Sequence, residues 1–236
     1  MRAPRRWLEA TLPVVALAVV ALAGCAMTAS RDGAPALSYL ALGDSYTIGE
    51  GVAPIDRWPM QLAARLRASG IGIADPHVVA ATGWTTDELD AAIDAAQPGQ
   101  FDFVSLLIGV NNQYRGRPLD EYRTQFAALL ERAVAFAHGR SDRVLVLSIP
   151  DWGATTFGVT SGRDTSVISA ELDAYNAAAR SICDARGVAF VDITALSRQH
   201  GAAAAMLVDD GLHPSRAMYA LWTDAALPVA LRLLAR

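Results

Sequence analysis

Hydrophobic positions along the chain gather into five short runs, 37–42, 77–81, 101–108, 143–149 and 188–193. Each is largely apolar rather than alternating, and each abuts a Gly or a Pro. Runs of this length and character read as strands buried on both faces. Between them the spacing of apolar residues changes to that of helices. Trp58 to Ala68 carries Met60, Leu62, Ala63 and Leu66 on one side. Thr86 to Ala96 begins with Asp87 and Glu88, acidic residues that suit a helix N-terminus. Residues 120–137 place Phe126, Leu129, Leu130 and Val134 on one face. Residues 166–185 and 215–234 complete the set, the last predicted to kink or break near Pro228.

Strands buried on both faces and separated by helices require a parallel sheet with helices on either side. The fold class predicted is therefore α/β: a three-layer α/β/α sandwich with a five-stranded parallel sheet. The flavodoxin-like pattern suggests the strand order 2-1-3-4-5. Such sheets bind ligands outside the carboxyl ends of their strands, so chemistry is sought there. No period of 20–50 residues recurs, which argues against a solenoid or propeller.

The 236 residues suffice for one domain with a substantial core. All 20 basic residues are Arg. The absence of Lys excludes a Schiff base, a Ser-Lys dyad and a phosphate-loop Lys. A formal charge of −4 with scattered arginines gives no footprint for nucleic acid. His77, His138 and His200 sit in separate elements without metal-ligand spacing, so neither metal nor cofactor is expected.

The N-terminus reads as a targeting segment. Arg2, Arg5 and Arg6 precede an apolar stretch, 12–23, too short to span a bilayer comfortably. It ends in Leu22-Ala23-Gly24-Cys25, which resembles a bacterial lipobox. On that reading residues 1–24 are removed and Cys25 is lipidated, anchoring the protein to a membrane of the bacterial cell envelope, facing the periplasm or exterior. An ordinary signal peptide cut near Ala26 or Ala29, or an uncleaved anchor, is the alternative. Residues 25–36 form a small, polar tether, and 37–236 the single domain. Cys183 then stays a free thiol, expected to be buried and structural.

Four short motifs follow the strands. The first run ends in Gly43-Asp44-Ser45, where a tight turn can project a serine hydroxyl or merely cap a helix. The second ends in Thr82-Gly83-Trp84-Thr85-Thr86: Gly83 allows a backbone N–H to approach a ligand, and Thr85 or Thr86 can cap the next helix. The third ends in Gly109-Val110-Asn111-Asn112, in which Asn111 can donate to an oxyanion or close an Asx turn. After the fifth comes Asp209-Asp210-Gly211-Leu212-His213, a short loop that can fold a carboxylate onto an imidazole. Each alone is weak. Together, at the ends where an open sheet builds sites, they supply a nucleophile, oxyanion donors and an oriented base.

The order Ser, Gly, Asn, His across 37–234, with GDSYTIGEG, TGWTT, GVNN and DGLHPS, resembles the SGNH/GDSL hydrolase family. The resemblance implies Ser45 as nucleophile and His213 as general base oriented by Asp210, with Asp209 the rival orienter. It implies an oxyanion hole of the Ser45 and Gly83 N–H groups and the Asn111 amide, and as substrate a small-molecule or lipid carboxylic ester. One departure is Asn112, where the family usually has Asp; it puts in doubt local hydrogen bonding and substrate choice. Asp151 is expected to cap its loop. Trp84, Tyr114 and Trp152 follow strands two, three and four and are candidates to line a groove. A glycan O-acetyl esterase or acyltransferase is the first alternative, and a non-catalytic binding lipoprotein the second.

Overall fold

The computed structural model describes Met1 and residues 35–235. The leader, Cys25 and most of the tether lie outside the described residues. Five parallel strands form one sheet in the order β2-β1-β3-β4-β5. They are β1 (Tyr39–Gly43), β2 (His77–Ala80), β3 (Phe103–Leu107), β4 (Val144–Leu147) and β5 (Ala189–Val191). Every residue of β1, β3 and β4 is buried, which explains why these runs are apolar rather than alternating. Ser105 is the polar residue inside β3, and it shares a hydrogen bond of 2.9 Å with the Tyr39 hydroxyl.

Helices α2 (Trp58–Ala68) and α9 (Arg216–Leu234) pack together on one face. On the other, α3 (Thr86–Ala96) and α7 (Thr165–Arg186) pack against α5 (Leu119–Phe136). The sandwich and its strand order are those expected from the sequence. Caps explain several boundaries. Thr85 and Glu88 form a capping box at the start of α3, and Asp164 and Ser215 cap α7 and α9. Cys183 is fully buried in α7, and burial pushes its thiol up to about 12, the Asp184 carboxylate adding to the shift. A thiol so held is a core residue rather than a nucleophile.

Two expectations need correction. The last helix is not broken at Pro228: α9 runs on to Leu234. Proline removes one backbone donor, but Trp222, Ala226, Ala230 and Leu234 hold the helix in the core on both sides of it. Four short helices also appear that periodicity did not predict: α1 (Ser45–Ile48), α4 (Val110–Tyr114), α6 (Thr156–Thr160) and α8 (Thr194–His200). At four to seven residues they are too short to show a repeat. Three of them, α1, α4 and α6, border the site described below.

The β1–α1 turn is packed to its limit. A Cβ on Gly43 would lie 2.2 Å from Thr47 Oγ1 and 2.4 Å from the Leu107 carbonyl oxygen. Gly43→Ala should therefore cost about 1–3 kcal/mol through forced displacement. Urea unfolding of the variant against the parent measures this, and equal stability would show that the turn can shift.

Candidate active site

Strand order 2-1-3 reverses the direction of winding between β1 and β3, and that crevice is where the four motifs meet. Ser45 opens α1. Asp44 caps this helix: its Oδ1 accepts from the Tyr46 N–H at 3.0 Å, and its carbonyl accepts from Thr47 and Ile48. The Ser45 N–H, first of the turn, stands outside that cap. Gly83 takes a left-handed conformation, φ 87°, at the end of β2, where a side chain would be strained. Asn111 lies in the first turn of α4 rather than in the turn expected to close the strand, and its Nδ2 donates to the Trp84 carbonyl at 2.9 Å. An amide nitrogen has two hydrogens, so one remains.

His213 comes from a loop closed at its base. The Val208 N–H donates to the His213 carbonyl, the Ser215 N–H to Met206, and Leu207 bridges Pro214. Asp210 Oδ2 lies 2.5 Å from His213 Nδ1, and Asp210 Oδ1 accepts from the His213 and Leu212 N–H groups. Burial pushes the Asp210 carboxyl up, but these three hydrogen bonds outweigh it and hold the group below the usual carboxylate range. Asp209 is exposed, and the carboxylate that meets the ring is that of Asp210. Ring nitrogen Nδ1 is thereby engaged, leaving Nε2 for other work.

Ser45, Gly83, Asn111 and His213 line one cavity of about 220 Å³. The rest of its wall is mostly apolar: Val110, Tyr114, Trp152, Phe157 and Leu212 among others. Trp152 is buried and donates its indole N–H to Gln113 Oε1 at 2.8 Å; Tyr114 meets it edge-on at 5.3 Å and is half exposed. Trp84 does not line this cavity: it leans on the core, and its backbone carbonyl serves Asn111. Asp151 caps the turn at Trp152, as expected, and in addition pairs with Arg198 at 2.8 Å from a fully buried side chain.

A family model for GDSL-like lipases and acylhydrolases matches residues 41–221. The chain belongs to that family. No curated protein matches the sequence. Among solved structures, TesA superposes with a TM-score of 0.66 at 19% identity, covering 84% of this chain and 99% of its own. The psychrotrophic esterase EstA from Pseudoalteromonas sp. gives 0.61 at 17%, covering 85% and 100%. Axe2, an acetylxylan esterase from Geobacillus stearothermophilus, gives 0.61 at 21%, covering 86% and 95%. At these identities the structures share the fold. Family membership makes the chain a hydrolase and supports ester hydrolysis in general.

In this GDSL hydrolase the Asn112 side chain finds local hydrogen-bond partners. The side chain is buried; its Oδ1 accepts from the Thr86 N–H at 3.0 Å and its Nδ2 donates to Thr86 Oγ1 at 2.7 Å. The Thr86 hydroxyl hydrogen then goes to Gln125 Oε1. Sequence reasoning missed Phe157, Val110 and Leu212 as wall residues, because nothing local marks an apolar residue as facing a cavity rather than the core. Val110 and Leu212 lie inside the GVNN and DGLHPS blocks, and Phe157 in a Gly- and Thr-rich stretch, which were the hints available.

Asp44 is fully buried, and this desolvation raises its carboxyl to about 7, against the pull of N–H donors from Tyr46 and Gly109. In the unfolded chain it titrates near ~4. Between these values the folded state keeps a proton that the unfolded state has lost, so this group's share of stability falls as pH rises from about 4 to about 7. Asp44→Asn preserves the cap and should flatten that fall, gaining on the order of 1–4 kcal/mol relative to the parent at pH 8 over pH 5. Denaturant unfolding of both proteins at the two pH values tests this; parallel pH dependence would refute it.

Proposed function

We propose that this chain is a serine-dependent carboxylic ester hydrolase with Ser45 as nucleophile, acting on esters of short acyl groups. The observation that carries the reading is the Asp210–His213 pair, whose ring opens on the same cavity as Ser45. Ser45 Oγ attacks the ester carbonyl while His213 Nε2 takes its proton, and Asp210 stabilises the imidazolium formed. The negative charge that develops on the carbonyl oxygen is met by the Ser45 and Gly83 N–H groups and the free Asn111 amide hydrogen. Collapse breaks the ester C–O bond, and His213 returns the proton to the leaving alcohol. Water, deprotonated by the same ring, then attacks the acyl-Ser45 ester; the acyl–Oγ bond breaks, the acid is released and His213 returns the proton to Ser45 Oγ.

Size and lining support the acyl class. A cavity of about 220 Å³ walled by Val110, Trp152, Phe157 and Leu212 is small and apolar, which suits a short acyl group. A second reading, an O-acetyl esterase on glycans, is favoured by Tyr114, whose exposed ring at the cavity can stack on a sugar. We further propose that lipid on Cys25 holds the domain at the cell envelope, with residues 25–36 as the tether.

On p-nitrophenyl esters of increasing chain length, the parent should peak at short acyl groups. Ser45→Ala should abolish turnover, and Asn111→Ala should lower kcat by about 10²–10³-fold. Equal rates in the parent and Ser45→Ala would overturn the assignment, and a preference for acetylated xylan over simple esters would favour the second reading.

A further inference from the structure

We infer that Arg115 is a positioning residue for the reaction, holding the Gly83 loop in place from one turn beyond Asn111. This rests on the role proposed above for Gly83. Asn111, in the first turn of α4, and Arg115, its C-cap, are four residues apart and so lie on the same face. Both grip the same loop. Asn111 Nδ2 donates to the Trp84 carbonyl at 2.9 Å, and Arg115 Nη2 donates to the Gly83 carbonyl at 2.7 Å. Two consecutive carbonyls of the loop are thus fixed by one short helix.

The loop needs such support. Its own closing hydrogen bond, from the Trp84 N–H to the Ala81 carbonyl, is 3.4 Å long. At its tip stands Gly83, with φ 87° and no side chain to anchor it. Beyond Arg115 Nη2, at 3.7 Å, nothing would crowd even an added Cβ. An oxyanion donor must nevertheless be held to about half an ångström to act. Fixing the peptide on the carboxyl side of Gly83 limits how the peptide carrying its N–H can rotate.

Arg115 is itself aimed by a fixed partner. Its Nη1 lies 3.1 Å from Glu88 Oε1, while Glu88 Oε2 accepts from the Thr85 N–H at 2.9 Å in the capping box of α3. The Thr85 N–H and the guanidinium hold the Glu88 carboxyl below its ordinary range, so it is charged at neutral pH. One carboxylate therefore starts a helix with one oxygen and orients the clamp with the other. The Arg115–Glu88 pair is well exposed and so adds little to stability.

The test compares the full-length parent with Arg115→Ala, Arg115→Lys and Ser45→Ala. Two readouts are used: turnover of p-nitrophenyl butyrate, and the rate at which a fluorophosphonate labels Ser45. In the labelling step Ser45 Oγ bonds phosphorus, fluoride leaves, the proton goes to His213, and the phosphoryl oxygen enters the same hole. Arg115→Ala should lower kcat about 10- to 100-fold, the range expected for a misplaced reacting geometry, with KM and melting temperature nearly unchanged. Millimolar guanidinium should restore part of that loss, and Arg115→Lys, which keeps a donor for the Gly83 carbonyl, should fall between. Parental kcat and labelling rate in Arg115→Ala would overturn the inference while leaving Ser45 as nucleophile. A loss confined to KM would overturn it also. If the parent itself neither turns over ester nor labels at Ser45, the proposed function fails and this inference with it.

Discussion

The register of β1 against its two neighbours is the constraint on which the site depends. Gly43 stands opposite Ala80 of β2 on one side and Leu107 of β3 on the other. The three strands therefore end at one level, and the residues that follow them, Ser45, Gly83 and Asn111, emerge around one crevice. Register in a sheet buried on both faces cannot slip cheaply, because a shift would misalign every apolar side chain of β1 and β3. The turn after β1 can pass so close to β3 only because position 43 lacks a Cβ. The placement of Ser45 is in this sense set by backbone pairing before any side chain of the site is considered.

Onto that frame two sets of clamps are added. On one side of the crevice, α4 holds the β2–α3 connection through Asn111, Asn112 and Arg115 on Trp84, Thr86 and Gly83. On the other, the Gly211 carbonyl accepts from the Phe157 N–H at 2.9 Å and from the Thr156 hydroxyl at 3.0 Å. Gly211 lies between Asp210 and His213, so the histidine loop is fixed to the segment that presents Phe157 to the cavity. The Phe157 segment and the His213 loop thus share a hydrogen-bonded support, as the Gly83 loop and Asn111 do across from them. Sites held by such second contacts keep their geometry better than loops left to themselves.

Much of this was legible in the sequence, and the reason is physical. Strands buried on both faces must be continuously apolar, which named β1, β3 and β4; the edge strands β2 and β5 proved only partly buried, yet their runs were apolar enough to be found, and the ends of open sheets are where ligands bind. The motif residues were found because each is chemically unusual just past a strand end. Less legible were elements whose signal is too short or depends on distant partners. Helices α1, α4 and α6 have too few turns for periodicity. Phe157 lines the cavity only because Gly211, 54 positions along the chain, fixes its backbone. The Arg115 clamp depends on a carbonyl 32 positions away. Pro228 misled in the opposite direction: a local rule about proline yielded to the packing of Trp222, Ala226 and Ala230 around it.

Asn112 shows how a departure from a family pattern can be settled by its neighbours. A carboxylate there could accept from the Thr86 N–H and from the Thr86 hydroxyl, but it could donate nothing. The amide reverses one of those bonds: it donates to Thr86 Oγ1, which frees the hydroxyl hydrogen for Gln125 Oε1. The site is fully buried, so an amide avoids the desolvation cost that an ionised carboxylate would carry there. Asn112 and Gln125 therefore form one hydrogen-bonded unit with Thr86 between them. Since Asn112 adjoins Asn111 in α4, the exchange keeps α4 pinned to the start of α3, and with it the position of the Asn111 amide at the cavity.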